Sequence, residues 1–235
     1  MKYNNSIAAT FISRPNRFIA YCQIGEETVK VHVKNTGRCK ELLIPGVTVY
    51  LEYDGNPRRK TAYSLIAVQK GERLINMDSQ VPNKVFYEAV RLEKISLPGL
   101  NQKILMLKPE KTYKNSRFDA YIETETEKAF VEVKGVTLEE DGIVRFPDAP
   151  TERGVKHIYE LIEAVSEGYK AYLVFIIQMN EIKYFTPNRQ TQEAFAVALE
   201  LAEQKGVTLL AYDCTVQADQ IEIGNPVPVI LNPNI

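Results

Sequence analysis

Residues 171–177, Ala-Tyr-Leu-Val-Phe-Ile-Ile, are apolar without interruption between Lys170 and Gln178. A strand with one wet face alternates polar and apolar residues, so this run reads as a central strand covered on both faces. Such a strand needs helices on two sides of a sheet, and the surrounding sequence supplies them. A helix is predicted over 84–95, with Asn83 as its cap and Val85, Ala89 and Leu92 along one side. A second follows Thr151 over 152–167, carrying Val155, Ile158, Leu161, Ile162 and Val165, and a third spans 192–204. Strands over 102–107, 116–123, 129–137 and 207–212 complete a mixed α/β unit.

The first 80 or so residues follow a different rule. Over 28–34, Val29, Val31 and Val33 fall on one face and Lys30, His32 and Lys34 on the other. Asn35-Thr36-Gly37 ends that strand, and Asp54-Gly55-Asn56-Pro57 makes a second turn. Further strands are expected over 17–24, 47–53, 61–69 and 73–77. Many short strands without a long helix predict a small closed barrel. The pattern changes at Val81-Pro82-Asn83, which divides the chain into two domains near residue 80.

Bulk properties exclude little but are useful. The net charge is −1, from 29 basic and 30 acidic residues, so nucleic-acid binding would have to rest on local basic density. No run of about 18 apolar residues suggests a membrane span, and residues 1–10 lack the pattern of a signal peptide. Cys22, Cys39 and Cys214 are widely spaced, outside any CxxC pattern, and are expected to be buried thiols in a reducing compartment. These features point to the cytoplasm.

The chemistry is concentrated in one hairpin. In Ser116–Glu123, Phe118, Ala120 and Ile122 should share a face, which places Asp119 on the other; in the next strand Val131 and Val133 leave Glu132 and Lys134 together. A turn centred between Glu125 and Thr126 sets Asp119 across from Glu132, with Cβ atoms about 4.5–5.5 Å apart. Two carboxylates at that separation repel unless a proton or cation lies between them. A hard divalent cation, Mg²⁺ or Mn²⁺, suits oxygen ligands and keeps water for a phosphate. Lys134 could then steady an attacking water and the charge growing on phosphorus. On a hairpin alone such residues are most often just solvated surface. Glu88, at the margin of the first helix's apolar stripe, is a further acid for the site or a rim carboxylate.

The order helix-Glu, strand-Asp, strand-Glu-x-Lys, helix resembles the PD-(D/E)XK nuclease superfamily. The whole chain resembles the sugar fermentation stimulation protein family, through Asn35-Thr36-Gly37, residues 56–60 (NPRRK), 116–119 (SRFD), 131–138 (VEVKGVTL), 146–149 (FPDA) and 151–157 (TERGVKH). The resemblance implies an OB-type barrel over 1–80 that binds DNA and a nuclease-like α/β domain over 81–235. By position, Glu88, Asp119, Glu132 and Lys134 match the superfamily's catalytic motif, with Asp119 and Glu132 as metal ligands. Gly135 and Arg38-Cys39 depart from some relatives, and neither departure touches those four residues.

Residues 56–60 form a basic turn, and Arg17, Lys34, Arg38, Arg58, Arg59 and Lys60 are the barrel's candidate phosphate contacts. Arg153 and Lys156 open the second helix, where they could line a substrate path, while His157 reads more readily as a hydrogen-bonded helix residue than as a base. The expected function is a Mg²⁺-dependent nuclease acting on nucleic acid, DNA before RNA, with no membrane partner and a homodimer as the assembly to check. The alternatives are a non-catalytic DNA-binding regulator of sugar metabolism genes with a vestigial nuclease fold, and an oligosaccharide-binding module.

Overall fold

The computed structural model describes residues 1–35 and 37–233; Thr36, the centre of the expected Asn-Thr-Gly turn, lies outside the described residues. The chain opens with β1 (Ser6–Asn16), β2 (Ile19–Ile24), β3 (Glu27–Val33), β4 (Thr48–Tyr53), β5 (Tyr63–Lys70) and β6 (Arg73–Asn76). They form one sheet in the order β3-β2-β1-β4-β5-β6, and a parallel pairing of β3 with β5 closes it into a barrel. Val29, Val31 and Val33 point inward with Val49 and Leu51, as their alternation predicts. β1 was not legible: its burial pattern is irregular, and a register shift between Phe11 and Ser13 breaks the alternation.

A second sheet runs β15 (Gln220–Pro226), β14 (Thr208–Gln217), β12 (Lys170–Ile177), β9 (Lys128–Val136), β8 (Ser116–Glu123), β7 (Met106–Tyr113). β12 lies near its centre, parallel to β9 and β14, and 171–177 is buried throughout. Helix α1 (Val81–Arg91) covers one face; α2 (Glu152–Ser166) and α3 (Glu193–Gln204) cover the other. A small sheet of β10 (Leu138–Glu140), β11 (Ile143–Phe146) and β13 (Tyr184–Pro187) flanks it. Thr151 caps α2 as expected, its hydroxyl accepting from the Gly154 N–H at 3.0 Å.

Three expectations need correction. α1 begins three residues before the expected start: Gln80 is the cap, Pro82 sits in the first turn, and Asn83 lies inside the helix. Leu92 terminates α1 and is 57% exposed instead of packing. The edge strand is not 102–107 but β7, whose Pro109, lysines and glutamate conceal it; an edge strand tolerates proline because one side of its ladder is unpaired.

The two parts are tied in several places. Gln178, at the end of β12, donates to Asn76 Oδ1 (2.8 Å) and to the Asp78 carbonyl (3.1 Å). Glu139 on β10 takes Lys70 and Arg73 from the barrel. The N-terminal residues clasp the last hairpin: the Tyr3 N–H donates to the Asp219 carbonyl, the Ser6 hydroxyl to the Ala218 carbonyl, and Lys2 bridges to Gln220.

Candidate functional site

Asp119 sits where β8 loses its ladder on both sides. The β7 pairing steps from Pro109–Ala120 to Lys111–Phe118, skipping Glu110 at φ +53°, and the β9 pairing ends at Ala120–Val131. Strand alternation slips there. Phe118 therefore does not share a face with Ala120 and Ile122: it packs with Phe130 and His157 on the α2 side, whereas Ala120 and Ile122 join α1. The β8–β9 register, Ala120 with Val131, is the one the turn predicts, and it ends one pair short of Asp119 and Glu132.

The break turns the Asp119 carboxylate into a substitute for the missing ladder. One oxygen accepts from the Val133 N–H (2.8 Å) and the other from Asn83 Nδ2 (2.8 Å), while the Tyr87 hydroxyl donates to the Asp119 carbonyl. Asn83 and Tyr87 are four apart on α1 and so face the same way. Burial, reinforced by the charge on Glu132, pushes the Asp119 carboxyl above its ordinary range.

Glu132 is only 3% exposed. Its Oε1 takes both Lys134 Nζ and His157 Nδ1, each at 2.6 Å. Burial alone would raise this carboxyl, but the His157 hydrogen bond and the Lys134 charge outweigh it and hold it below the usual range. Arg153 Nε donates to His157 Nε2 at 3.3 Å, so Nε2 accepts and the proton lies on Nδ1, facing Glu132. Glu132 Oε2 is buried without a partner among the described residues. An unpartnered buried carboxylate oxygen costs free energy, and it is the atom a hard cation would take. Among the described residues no group of three or more His, Cys, Asp and Glu side chains is clustered for a metal, so a cation here would draw on the two carboxylates, with water and substrate completing its shell.

Of the four residues expected in the site, three are brought together. Glu88 is not. Its carboxylate pairs with the Met1 ammonium at 2.6 Å, which also reaches the Ile221 carbonyl on β15. β15 and β8 lie toward opposite edges of the sheet, so Asn83 and Tyr87 reach Asp119 while Glu88 turns toward the far edge. Sequence reasoning missed the roles of Asn83 and Tyr87, for which their i, i+4 spacing was the available signal, whereas His157 is the hydrogen-bonded helix residue expected, with Glu132 and Arg153 as its partners.

The basic candidates divide in two. Arg17, Arg38, Arg58 and Lys60 are exposed, and Arg17 and Arg38 border a groove of about 620 Å³ on the barrel. Lys34 is spent on Asp78 (2.8 Å) and Glu52 (3.5 Å), and Arg59 on Asp54 (2.6 Å) and Ser64 (2.8 Å). Arg153 supports His157, and Lys156 donates to the Asn115 carbonyl. All three cysteines are buried and free, and burial pushes Cys22 and Cys39 up to about 12.

A closed OB-type barrel joined to an α/β sheet that carries Asp119, Glu132 and Lys134 defines a protein of the nuclease-like fold class. The chain belongs to the sugar fermentation stimulation protein family: residues 12–77 match the family described as the SfsA N-terminal OB domain, and residues 80–220 match the sugar fermentation stimulation protein RE domain. It is 56% identical to a sugar fermentation stimulation protein homolog of Clostridium beijerinckii, across 98% of this chain and 100% of that one. The homolog of Desulfitobacterium hafniense is 59% identical, across 98% and 99%. Among solved structures, Pyrococcus furiosus SfsA in complex with Ca²⁺ superposes with a TM-score of 0.87 at 28% identity, covering 98% of each chain. No helix among the described residues is long and apolar enough to cross a membrane.

Proposed function

We propose that the protein is a divalent-metal-dependent nuclease that hydrolyses phosphodiester bonds in nucleic acid, DNA in preference to RNA. The observation that carries this reading is the state of Glu132: a buried carboxylate with two donors on one oxygen, none on the other, and a second carboxylate opposite. A fold that needed only to neutralise a buried charge has no use for that arrangement. The Ca²⁺ complex of the Pyrococcus furiosus relative supports a divalent ion.

Asp119 and Glu132 would hold Mg²⁺ or Mn²⁺. When bound, the ion would polarise the phosphate and lower the pKa of a water. The chain's own residues do the positioning. Asn83 and the Val133 N–H fix Asp119; the His157 Nδ1–H and Lys134 hold Glu132 by one oxygen and leave the other, buried, without a donor among the described residues. Lys134 brings a positive charge to the edge of the site, where it can offset charge developing on the phosphate. The exposed Arg17, Arg38, Arg58 and Lys60 supply phosphate contacts from the barrel. Free buried thiols suit a reducing cytoplasm.

The test is incubation of labelled single- and double-stranded DNA and RNA with wild type and Lys134→Ala, with Mg²⁺, Mn²⁺ or EDTA. Metal-dependent cleavage by wild type alone is expected. Binding without turnover on every substrate would overturn the reading in favour of a non-catalytic DNA-binding regulator of sugar metabolism genes.

A further inference from the structure

The carboxyl ends of β9 and β12, parallel neighbours, stop beneath the barrel, and ligands in open α/β sheets collect at such ends. A pocket of about 160 Å³ lies there, bounded by Asn35 and Gly37 from the barrel and by Gly135, Arg145, Asp148 and Gln178 from the α/β part. Gly135 directly follows Lys134 on β9, so the pocket lies at the same end of that strand as Lys134. Its walls leave no room for side chains: a Cβ on Gly135 would stand 2.6 Å from both Gln178 Oε1 and Pro82, and a Cβ on Gly37 would collide with the Asp148 carboxylate. Gly37 also borders the barrel groove, whose rim carries Arg17, Arg38 and Lys40. The groove and the pocket are therefore consecutive parts of one track.

The two parts differ in charge. The groove is basic and suits a phosphate backbone. The pocket presents two acceptors, the Asp148 carboxylate and Gln178 Oε1, because the Gln178 amide nitrogen is already committed to Asn76 and Asp78; the Arg145 guanidinium on the same wall is paired with Glu140 at 3.3 Å. Asn35 contributes the opposite polarity, since its Oδ1 accepts from the Gly37 N–H (2.8 Å) and its Nδ2 remains a donor. A phosphate would be repelled by Asp148, whereas a planar heterocycle bearing N–H groups beside a carbonyl matches the set. Guanine offers that pattern on its Watson–Crick edge, and only when unpaired.

We propose that the pocket between the barrel and the sheet takes one unpaired nucleobase next to the scissile phosphate, guanine best, so that the substrate is single-stranded where it meets the site. The inference deepens the nuclease reading and rests on it for the place of cleavage. Asp148 is the specificity-determining residue.

Binding in EDTA separates this from catalysis. The full chain would be titrated with fluorescent oligothymidylates carrying one central guanine, adenine, cytosine or abasic site, and with the matching duplexes. The guanine strand should bind roughly tenfold tighter than the abasic strand, the equivalent of one good bidentate contact, and pairing it in a duplex should remove that gain. Asp148→Asn should reduce the guanine gain, taken as the ratio of guanine-strand to abasic-strand affinity within that variant, to under about twofold. Equal affinity for all strands, an undiminished gain in the duplex, or an undiminished gain in Asp148→Asn overturns the proposal. Should Asp148→Asn fail to fold by circular dichroism, the wild-type comparison of guanine with abasic and duplex strands decides alone. Guanine preference without Mg²⁺-dependent cleavage would sink the nuclease reading and, with it, the assignment of the base to a scissile phosphate; cleavage without base preference sinks only the pocket.

Discussion

Two buried glutamates sit at opposite ends of the short run from β9 to β10, and the fold treats them differently. Glu139 is 5% exposed and Glu132 is 3% exposed. Both carboxyls lie below the usual range although burial pushes each of them up. At Glu139 each oxygen is occupied: Lys70 at 2.6 Å on one, Arg73 at 2.8 Å and the Gly142 N–H at 2.6 Å on the other. At Glu132 both partners crowd onto one oxygen and the other has none among the described residues. A saturated carboxylate fastens the barrel to the sheet. An unsaturated one, opposite a second carboxylate, carries a standing cost that makes sense when something else binds there.

The largest expected difference between the two is in turnover. Lys134→Ala or Glu132→Gln should lower cleavage by at least roughly 10²–10³-fold, while Glu139→Gln, assayed well below its melting temperature, should cleave within about twofold of wild type. Comparable losses from both glutamates would erase the distinction. Metal comes next. Binding only to the folded state at about 100 times Kd stabilises by roughly 2.7 kcal/mol, which for a chain of this size is a rise of about 5–10 °C in melting temperature. Glu132→Gln should lose most of that rise and Glu139→Gln should retain it, as thermal melts with Mg²⁺ and EDTA would read. In the absence of metal the order of stability reverses: Glu139→Ala leaves Lys70 and Arg73 without their anion and should cost about 2–3 kcal/mol in a urea titration, whereas Glu132→Ala also relieves Asp119 and should cost less than half of that.

A smaller effect has a definite sign with pH. The folded Asp119 carboxyl is raised, so the fold favours its protonated form. As pH climbs from the ordinary aspartate value of about 3.9 through the folded value, wild type should lose stability relative to the non-titrating Asp119→Asn, and the gap should then stay constant. Glu139 is lowered, so wild type should gain on Glu139→Gln over the same direction of pH. Urea titrations across the acid range would show the two gaps moving oppositely; parallel movement would mean that Asp119 is not held as described. The smallest effect lies on the barrel. Because Arg59 is tied to Asp54, the triple charge removal at Arg58, Arg59 and Lys60 should flatten the log–log salt slope on duplex DNA by about 1.8, two contacts at roughly 0.9 each, and not by three.

Periodicity revealed those elements that obey it without interruption. Val29, Val31 and Val33, the run 171–177, and the Thr151-capped helix all lie where local chemistry puts them. The β8–β9 register, Ala120 with Val131, followed from the turn position alone. What stayed hidden depended on distant partners. Asn83 reads as a helix cap because asparagine usually is one, yet its amide is taken by a carboxylate 36 residues away. Glu88 reads as a site acid because helical spacing fixes an azimuth but not which edge of the sheet that azimuth meets. Lys34 and Arg59 read as phosphate contacts because a sequence does not disclose ion pairs across a fold. β7, with little alternation of its own, is a strand because a neighbouring strand supplies the hydrogen bonds.

The clasp between the first residues and the last hairpin sets an order of events during synthesis. Lys2, Tyr3 and Ser6 find their partners at Gln220, Asp219 and Ala218. At ordinary rates of about 5–20 residues per second, a ribosome needs roughly 10–40 s after making the first of these to make the last. The barrel strands can pair within that interval, because their neighbours are already out of the tunnel. Ser6 can pair with Glu52 of β4 early, but Lys2 and Tyr3 lack their backbone partners until the hairpin of β14 and β15 is made. Until then they prolong a strand edge of the kind that recruits other chains, so slowed translation through the codons of β14 and β15 should prolong the window in which newly made chains can aggregate.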